Sequence, residues 1–209
     1  MPRLSIAVLI SGSGTTLRNL IAYHSRGLLP VDFKLVISSR ASAGGLAYAN
    51  QANIDSMVIA RRGSLSAEDH SRAVFERCRE LGVDLVVMGG YLDHLLIPDD
   101  FQGKVVNIHP SLIPAFSGHG YYGLRVHQAV IDYGAKLSGC TVHFVDNQYD
   151  HGPIIAQRAC AVLPDDLAET LQARVFELEC ELYPATIAAI ADGLVSLNDR
   201  KVIIRSQTI

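Results

Sequence analysis

The feature that most constrains the fold is a regular alternation of short apolar segments with segments of helical periodicity over the first 110 residues. Strands that alternate with helices predict βαβ units, in which crossover helices cover a parallel sheet. We therefore expect an α/β chain with a doubly wound, mostly parallel sheet. The strands are predicted over 4–11, 32–39, 56–60, 83–91 and 104–109, and the helices over 15–27, 45–54 and 66–81.

After residue 110 the pattern changes. Two neighbouring strands there are predicted to pair as an antiparallel hairpin, and a second small hairpin is predicted near the C-terminus. Pro184 predicts a kink in the last helix, or its division into two. These elements are predicted over 124–134 and 166–193 for the helices, 139–145 and 152–163 for the paired strands, and 194–206 for the small hairpin with Asn198 and Asp199 at its turn.

Composition excludes several classes of protein. Hydrophobic residues make up 49% of the chain and charged residues 19%, which is typical of a globular protein, and a net charge of −3 argues against a nucleic-acid partner. The apolar segment 4–11 is too short to span a membrane and contains Ser5, so we expect no signal peptide and no membrane partner. The four cysteines form no CxxC pair and are predicted to be reduced.

The stretch ISGSGTTL (10–17) joins a predicted strand to a helix that starts at about Thr15. Gly12 and Gly14 let the backbone approach a ligand, and a helix N-terminus offers free N–H groups and a positive dipole end, so a phosphate fits there. The stretch lacks the P-loop pattern and the third glycine of a dinucleotide fingerprint, which argues against a nicotinamide oxidoreductase. A tight turn with a threonine cap is the alternative interpretation.

The stretch NIHPSLIPAF (107–116) places Asn107 and His109 on one side of a strand, because residues two apart share a face. Histidine exchanges protons near neutral pH, and an asparagine amide can donate to a developing oxyanion. Pro110 and Pro114 restrict the loop that follows. The alternative is that both side chains only cap the strand end through backbone hydrogen bonds.

The stretch VDNQYDHGPIIAQ (145–157) contains a polar loop with Asp146 and Asp150. A carboxylate near His109 would favour the protonated imidazole, whereas a solvated hairpin loop with Asx turns is the alternative. The spacing of the other histidines matches no zinc pattern, and no metal is expected. Those considered are His119, His127, His143 and His151.

Several stretches together resemble the glycinamide ribonucleotide formyltransferase family of purine biosynthesis, over nearly the whole chain. They are VLISGSGTTL, NIHPSLIPAF, GCTVHFVD, YDHGPIIAQ and ELYP, in the family's order. The resemblance implies the formyltransferase fold, a single domain over 1–209 with a phosphate-binding, Rossmann-like half (1–110) and a folate-binding and catalytic half with an antiparallel extension (111–209). It implies transfer of the formyl group of 10-formyltetrahydrofolate, as co-substrate, to the amine of N1-(5-phosphoribosyl)glycinamide. We expect a cytoplasmic monomer or homodimer with small-molecule substrates, no nucleic acid and no tightly bound cofactor.

The resemblance also assigns roles to residues. Asn107, His109 and Asp150 match the catalytic trio, in which Asn107 and protonated His109 stabilise a tetrahedral oxyanion and Asp150 holds His109 in its charged form. The residues implied to bind the phosphate and the ribonucleotide are Gly12, Gly14, Thr15, Thr16 and Glu179. Those implied to bind folate are Tyr91, Leu92, Leu95, Leu96, Asn107, Asp146, Asn147, Gln148, Tyr149 and Asp150.

The chain departs from the family at three places. Thr15-Thr16 replaces the usual Ser-Asn, Ala67 stands where a folate-side arginine is expected, and the loop 117–127 is slightly longer. Arg61 or Arg62 would have to replace that arginine. Two other functions stay open: a 10-formyltetrahydrofolate deformylase, against which the phosphate loop argues, and a non-catalytic nucleotide-binding module, against which the intact trio argues.

Overall fold

A computed structural model of the chain describes residues 3–61 and 66–205. It contains two compact units, Met1–Asn107 and Ile108–Ile209, whose boundary lies close to the one expected between residues 110 and 111. Each unit is built from elements that the sequence patterns predict, and their bounds agree to within a few residues. The expectation of a single domain stays a prediction.

The first unit is an open parallel sheet with its crossover helices. Its strands pair in the order β3-β2-β1-β4-β5, and every pairing is parallel. The strands are β1 Leu4–Ile10, β2 Val31–Ser38, β3 Ser56–Val58, β4 Leu85–Met88 and β5 Val105–His109, of which the last two residues belong to the second unit. The helices are α1 Thr15–Ser25, α2 Gly45–Gln51 and α3 Ala67–Glu80, and a 3₁₀ turn that was not predicted spans Asp99–Phe101.

Strand β1 forms the centre of this core. Ile6, Leu9 and Ile10 are 0% exposed, as expected of a continuous apolar run with helices over both faces of its sheet. At α3, the Ser66 hydroxyl accepts a hydrogen bond from the Asp69 amide at 3.0 Å, so the helix begins where its serine cap predicts.

The second unit contains antiparallel strands and two helices. The strands β6 and β7 pair antiparallel, with Leu137 opposite Ala161, and β8 and β9 form the predicted small hairpin, with Asn198 opposite Lys201. The strands are β6 Leu137–Phe144, β7 Ile154–Ala161, β8 Val195–Asn198 and β9 Lys201–Ile204. The helices are α4 Leu124–Tyr133 and α5 Ala168–Ala191.

These elements confirm the predicted fold class, α/β with a mostly parallel sheet and an antiparallel C-terminal extension. The predicted division of the last helix is wrong, because α5 runs through Pro184 without a break. Pro184 is buried, and tertiary packing of this kind can compensate for the backbone hydrogen bond that proline removes. Within the described ranges, no helix is both long and apolar enough to cross a membrane.

Candidate active site

The loop after β1 is fixed by the buried Ser11 side chain. Its hydroxyl lies 2.7 Å from the Ser39 hydroxyl and accepts a hydrogen bond from the Leu92 amide at 2.9 Å. The Ser11 amide donates to the Gly90 carbonyl at 3.1 Å. These bonds tie the ends of β1, β2 and β4 together, so the loop that follows Ser11 has a defined conformation.

Helix α1 begins with backbone N–H groups available to a ligand. Gly14, in the left-handed conformation, precedes the first turn, and the described part of the chain supplies no side-chain cap there. Gly12 is exposed, and Thr15 and Thr16 are partly exposed. The predicted phosphate loop therefore has the geometry of an anion site at a helix N-terminus.

A second glycine loop, which the sequence analysis missed, supports the first one. A Cβ atom on Gly14 would lie 2.3 Å from the Cα atom of Gly45, at the start of α2. The Gly45 amide donates to the Gly12 carbonyl at 3.2 Å. The adjacent glycines at 44 and 45, at the start of the predicted helix 45–54, were the signal for this close approach of two backbones.

The predicted folate-wall residues of the first unit divide by burial. Tyr91 and Leu95 are buried, Leu92 is 44% exposed, and Leu96 is partly exposed. The Tyr91 hydroxyl lies 2.8 Å from Nε2 of His70, a fully buried residue of α3 that the sequence analysis did not single out. The Tyr91 ring is thereby held in place beside Leu92.

Burial lowers the pKa of His70, the negative charge of Asp93 opposes this effect, and the positive charge of Arg61 adds a smaller lowering effect. Arg61 is exposed, and Arg62 lies outside the described residues. Compensation for Ala67 by one of these two arginines stays a prediction.

His109, the last residue of β5, has an oxygen acceptor beside each ring nitrogen. Nε2 donates to the Phe116 carbonyl at 2.9 Å, and Nδ1 lies 3.4 Å from the Asp150 carboxylate. The predicted His109–Asp150 pair is thus present, and His109 is 4% exposed. Asn107 lies two residues earlier on the same strand, paired with Met88 of β4, and is partly exposed.

The Asp150 carboxylate is held by a backbone amide of the second unit, and a second imidazole lies near it. The Gly118 amide donates to Oδ2 at 2.9 Å, and Nε2 of His143 lies 3.8 Å from Oδ1. His143 is 1% exposed and donates from Nδ1 to the Phe144 carbonyl at 2.7 Å. Burial lowers the pKa of His143, so its ring is neutral near pH 7.

The loop between Pro110 and Phe116 is anchored by two side chains of the β6–β7 pair. The Thr141 hydroxyl donates to the Ser111 carbonyl at 2.6 Å and accepts from the Ile113 amide at 3.1 Å. The Gln157 amide donates to Thr141 at 2.9 Å and to the Ile113 carbonyl at 3.1 Å. Thr141 and Gln157 therefore help to fix the loop whose Phe116 carbonyl binds His109.

A second imidazole lies near His109. His127, on α4, is 1% exposed, and burial together with the charge of His109 lowers its pKa to about 4. Among the residues that the structure describes, none provides a hydrogen-bond partner for its Nδ1. The sequence predicted a helix over 124–134 but gave no sign that this histidine is buried.

The remaining predicted residues lie on the 146–151 loop and on α5. Asp146 caps the Gln148 amide at 2.9 Å, while Asn147 and Tyr149 are exposed. Glu179, on α5, is partly buried, and burial raises the pKa of its carboxyl to about 8. Over 3–61 and 66–205, no cluster of three or more His, Cys, Asp or Glu residues is arranged to hold a metal ion.

Two formyltransferases, one from a plant and one from a bacterium, are similar to this chain over most of its length. A chloroplastic phosphoribosylglycinamide formyltransferase from Vigna unguiculata is 38% identical over 199 residues, 91% of this chain and 62% of the relative. The chain thus spans less than two thirds of that relative. A phosphoribosylglycinamide formyltransferase from Haemophilus influenzae is 38% identical over 197 residues, 93% of this chain and 90% of the relative.

Solved structures share the fold. Glycinamide ribonucleotide transformylase 1 from Symbiobacterium toebii matches with a TM-score of 0.88 and 37% identity, covering 98% of this chain and 95% of that chain. A formyltetrahydrofolate deformylase from Pseudomonas syringae matches with a TM-score of 0.86 at 22% identity, covering 98% of this chain and 67% of that one, which is a likeness of fold alone. The formyl transferase family model matches residues 4–187. The chain therefore belongs to the formyl transferase family.

Proposed function

We propose that the chain transfers the formyl group of 10-formyltetrahydrofolate to the amine of N1-(5-phosphoribosyl)glycinamide, a step of purine biosynthesis. The names of the Haemophilus and Symbiobacterium relatives support formyl transfer to this ribonucleotide, and the resemblance of the chain to its family supports 10-formyltetrahydrofolate as the donor. The His109–Asp150 pair, which is buried in the second unit, is the observation that carries the proposal. We also propose a cytoplasmic location. The compartment is part of the proposal because the Vigna relative is named chloroplastic.

The N-terminus of α1 suits the ribonucleotide phosphate. Its free amides and dipole attract an anion, and the Thr15 and Thr16 hydroxyls add two donors. A deformylase, in which water replaces the amine, has no use for this phosphate site. The anion loop therefore favours a transferase over a hydrolase.

The chemistry assigned to His109 is stabilisation of charge. The substrate amine attacks the formyl carbon, the carbonyl oxygen becomes an oxyanion, and the bond to N10 of the folate then breaks as N10 takes up a proton. Both N–H groups of a doubly protonated His109 face acceptors in this structure, so in the proposal Nε2 exchanges the Phe116 carbonyl for the oxyanion when the substrates are bound. The Asn107 amide is the second donor in the proposal. One such donor is worth about 100- to 1000-fold in kcat.

Asp150 is proposed to act on His109 and on the amine. Its carboxylate lies 3.4 Å from Nδ1 of His109, so it can accept the Nδ1–H group and orient the ring. It also accepts the Gly118 amide, which fixes its orientation. Through a water molecule, this carboxylate can take the proton that the amine loses.

Replacement of His109 tests the assignment directly. We expect His109→Ala to lower kcat by at least about 100-fold, because the oxyanion loses a donor, with little change in the KM for the ribonucleotide. His24→Ala, in which a ring bound to the Leu29 carbonyl is removed from α1, is the control and should retain activity. Near-normal turnover in His109→Ala would overturn the assignment.

The choice between transfer and hydrolysis needs one assay of the wild-type protein. The deformylated folate product is followed by absorbance, with and without glycinamide ribonucleotide. Product only in the presence of the ribonucleotide supports the proposal, and product in its absence supports a deformylase. Binding of both ligands without product supports a non-catalytic module.

A further inference from the structure

The small C-terminal hairpin reaches back to the loop that carries Asp150. The family model ends at residue 187, so β8 and β9 lie outside the part of the chain that the model matches. Their turn holds Asp199 in the left-handed conformation, with φ 53°, followed by Arg200. Both elements and the loop belong to the second unit.

Arg200 makes a three-point contact with His151. Its Nη2 donates to the His151 carbonyl at 2.7 Å, and its Nη1 lies 3.4 Å from Nδ1 and 3.5 Å from Nε2 of the ring. A guanidinium can hold a backbone carbonyl and cover a flat ring at once because its donors are fixed in one plane. One side chain of the hairpin thus contacts both the backbone and the ring of a residue next to Asp150.

The loop itself is closed by Asp146. Nδ1 of His151 donates to Oδ2 of Asp146 at 2.7 Å, and Oδ1 accepts the Gln148 amide at 2.9 Å. Asp146 thereby joins the two ends of the 146–151 loop. Arg200 contacts the end at His151 and so adds a support from outside the loop, beside the Gly118 amide that binds the Asp150 carboxylate.

Asp150 is held in an uncommon backbone conformation. Its φ is 50°, a region that residues other than glycine adopt at some cost and that surrounding contacts must maintain. On one side, the Gly118 amide binds its carboxylate, and on the other, Arg200 binds the carbonyl of the next residue. Loss of either contact favours relaxation of φ and withdrawal of the carboxylate from His109.

We infer that Arg200 is a positioning residue, which holds the 146–151 loop in the conformation that places the Asp150 carboxylate beside His109. Its effect on catalysis rests on the proposed function, whereas its effect on the loop does not. The hairpin is then part of the support of the candidate site, although it lies beyond the family model.

Hydrogen exchange tests the loop without any assay of activity. In Arg200→Ala, we expect the amides of 146–152, above all that of Gln148, to exchange about fivefold faster, as for loss of one exposed charge-assisted hydrogen bond. Lys201→Ala is the matched control, because Lys201 is the exposed neighbour in the same hairpin. Unchanged exchange in Arg200→Ala overturns the inference, whatever the activity.

Steady-state kinetics test the positioning role. We expect Arg200→Ala to raise the KM for 10-formyltetrahydrofolate and to lower kcat, each by about threefold to tenfold, with the KM for the ribonucleotide unchanged. Arg200→Lys keeps one donor and should recover part of the loss. Faster exchange with unchanged kinetic constants overturns the inference. If the wild-type protein transfers no formyl group, the proposed function fails, and the exchange result still decides whether Arg200 holds the loop.

Discussion

At the scale of single residues, the second unit places ionisable side chains where water does not reach. His127 and His143 are nearly fully buried near the His109–Asp150 pair, and burial lowers the pKa of both. Neutral rings next to His109 do not compete with it for the Asp150 carboxylate.

Glu179 gives a prediction for stability against pH. Its pKa rises from 4.5 to about 8, so the folded chain retains a proton that the unfolded chain loses between these values. Stability from this group is therefore complete below about pH 4.5 and is lost as the pH rises towards 8. We expect Glu179→Gln to lose less stability than the wild type over this range, by on the order of 3 kcal/mol.

The measurement is urea unfolding of both proteins at several pH values between 4.5 and 8.5. Glu177→Gln is the control for removal of a carboxylate from α5, because Glu177 is exposed on the same helix. A difference between the wild type and Glu179→Gln that stays constant with pH would contradict a buried, proton-retaining carboxyl.

At the scale of elements, the strand–loop–helix junctions depend on close backbone contact. Gly14 at the start of α1 touches Gly45 at the start of α2, and a Cβ atom at either position meets heavy atoms at 2.6 Å or less. A side chain at Gly14 therefore displaces the second loop as well as straining its own backbone. The turn at Gly14 and the turn at Gly45 are thus in direct contact through their main chains, and a change at one affects the other.

Alanine substitutions at two glycines separate the cost of backbone strain from the cost of a steric clash. Gly14 and Gly27 have φ 75° and 72°, but only Gly14 has neighbours that a Cβ atom would strike. We expect Gly27→Ala to cost about 1–2 kcal/mol from the left-handed conformation alone, and Gly14→Ala to cost at least about 3 kcal/mol. Denaturant unfolding measures both, and equal losses would show that the contact with Gly45 relaxes freely.

The elements were predictable because each rests on a local pattern, whereas their contacts rest on tertiary packing. The continuous run 4–11 predicted a buried strand, and Ser66 predicted the start of α3. The division at Pro184 was wrong, since packing of α5 outweighs one lost hydrogen bond. The contacts of Gly118 and His143 with Asp150, and of Arg200 with His151, could not be predicted, since no spacing relates a loop to a distant turn.

At the scale of the whole molecule, the four free cysteines divide between interior and surface. Cys78 lies buried in the first unit and Cys140 in the second, while Cys160 and Cys180 are partly exposed. Burial raises the pKa of Cys78 and of Cys140 to about 12. Each unit thus contains one thiol that is both inaccessible and very weakly ionised.

Thiol labelling therefore reports the folded state of each unit. An increase in pKa from 9.0 to about 12 lowers the thiolate fraction about 1000-fold at neutral pH, and burial hinders the reagent further. In native buffer, we expect Cys160 and Cys180 to react first while Cys78 and Cys140 stay unmodified. In concentrated guanidinium, we expect all four thiols to react. Mass spectrometry of the labelled peptides identifies each site, and early modification of Cys78 or Cys140 would contradict their burial.

The loop after His109 has an anchored segment and an exposed continuation. Thr141 and Gln157 fasten it up to Ile113, and Gly118 fastens it to Asp150, whereas residues 119–123 are exposed. The longer 117–127 loop stays a prediction, and it would extend the exposed part and not the anchored part. For protein engineering, the exposed residues between Gly118 and α4 are a place where segments of other lengths can be inserted to alter the substrate range. The His109 imidazole and the Asp150 carboxylate keep their supporting contacts.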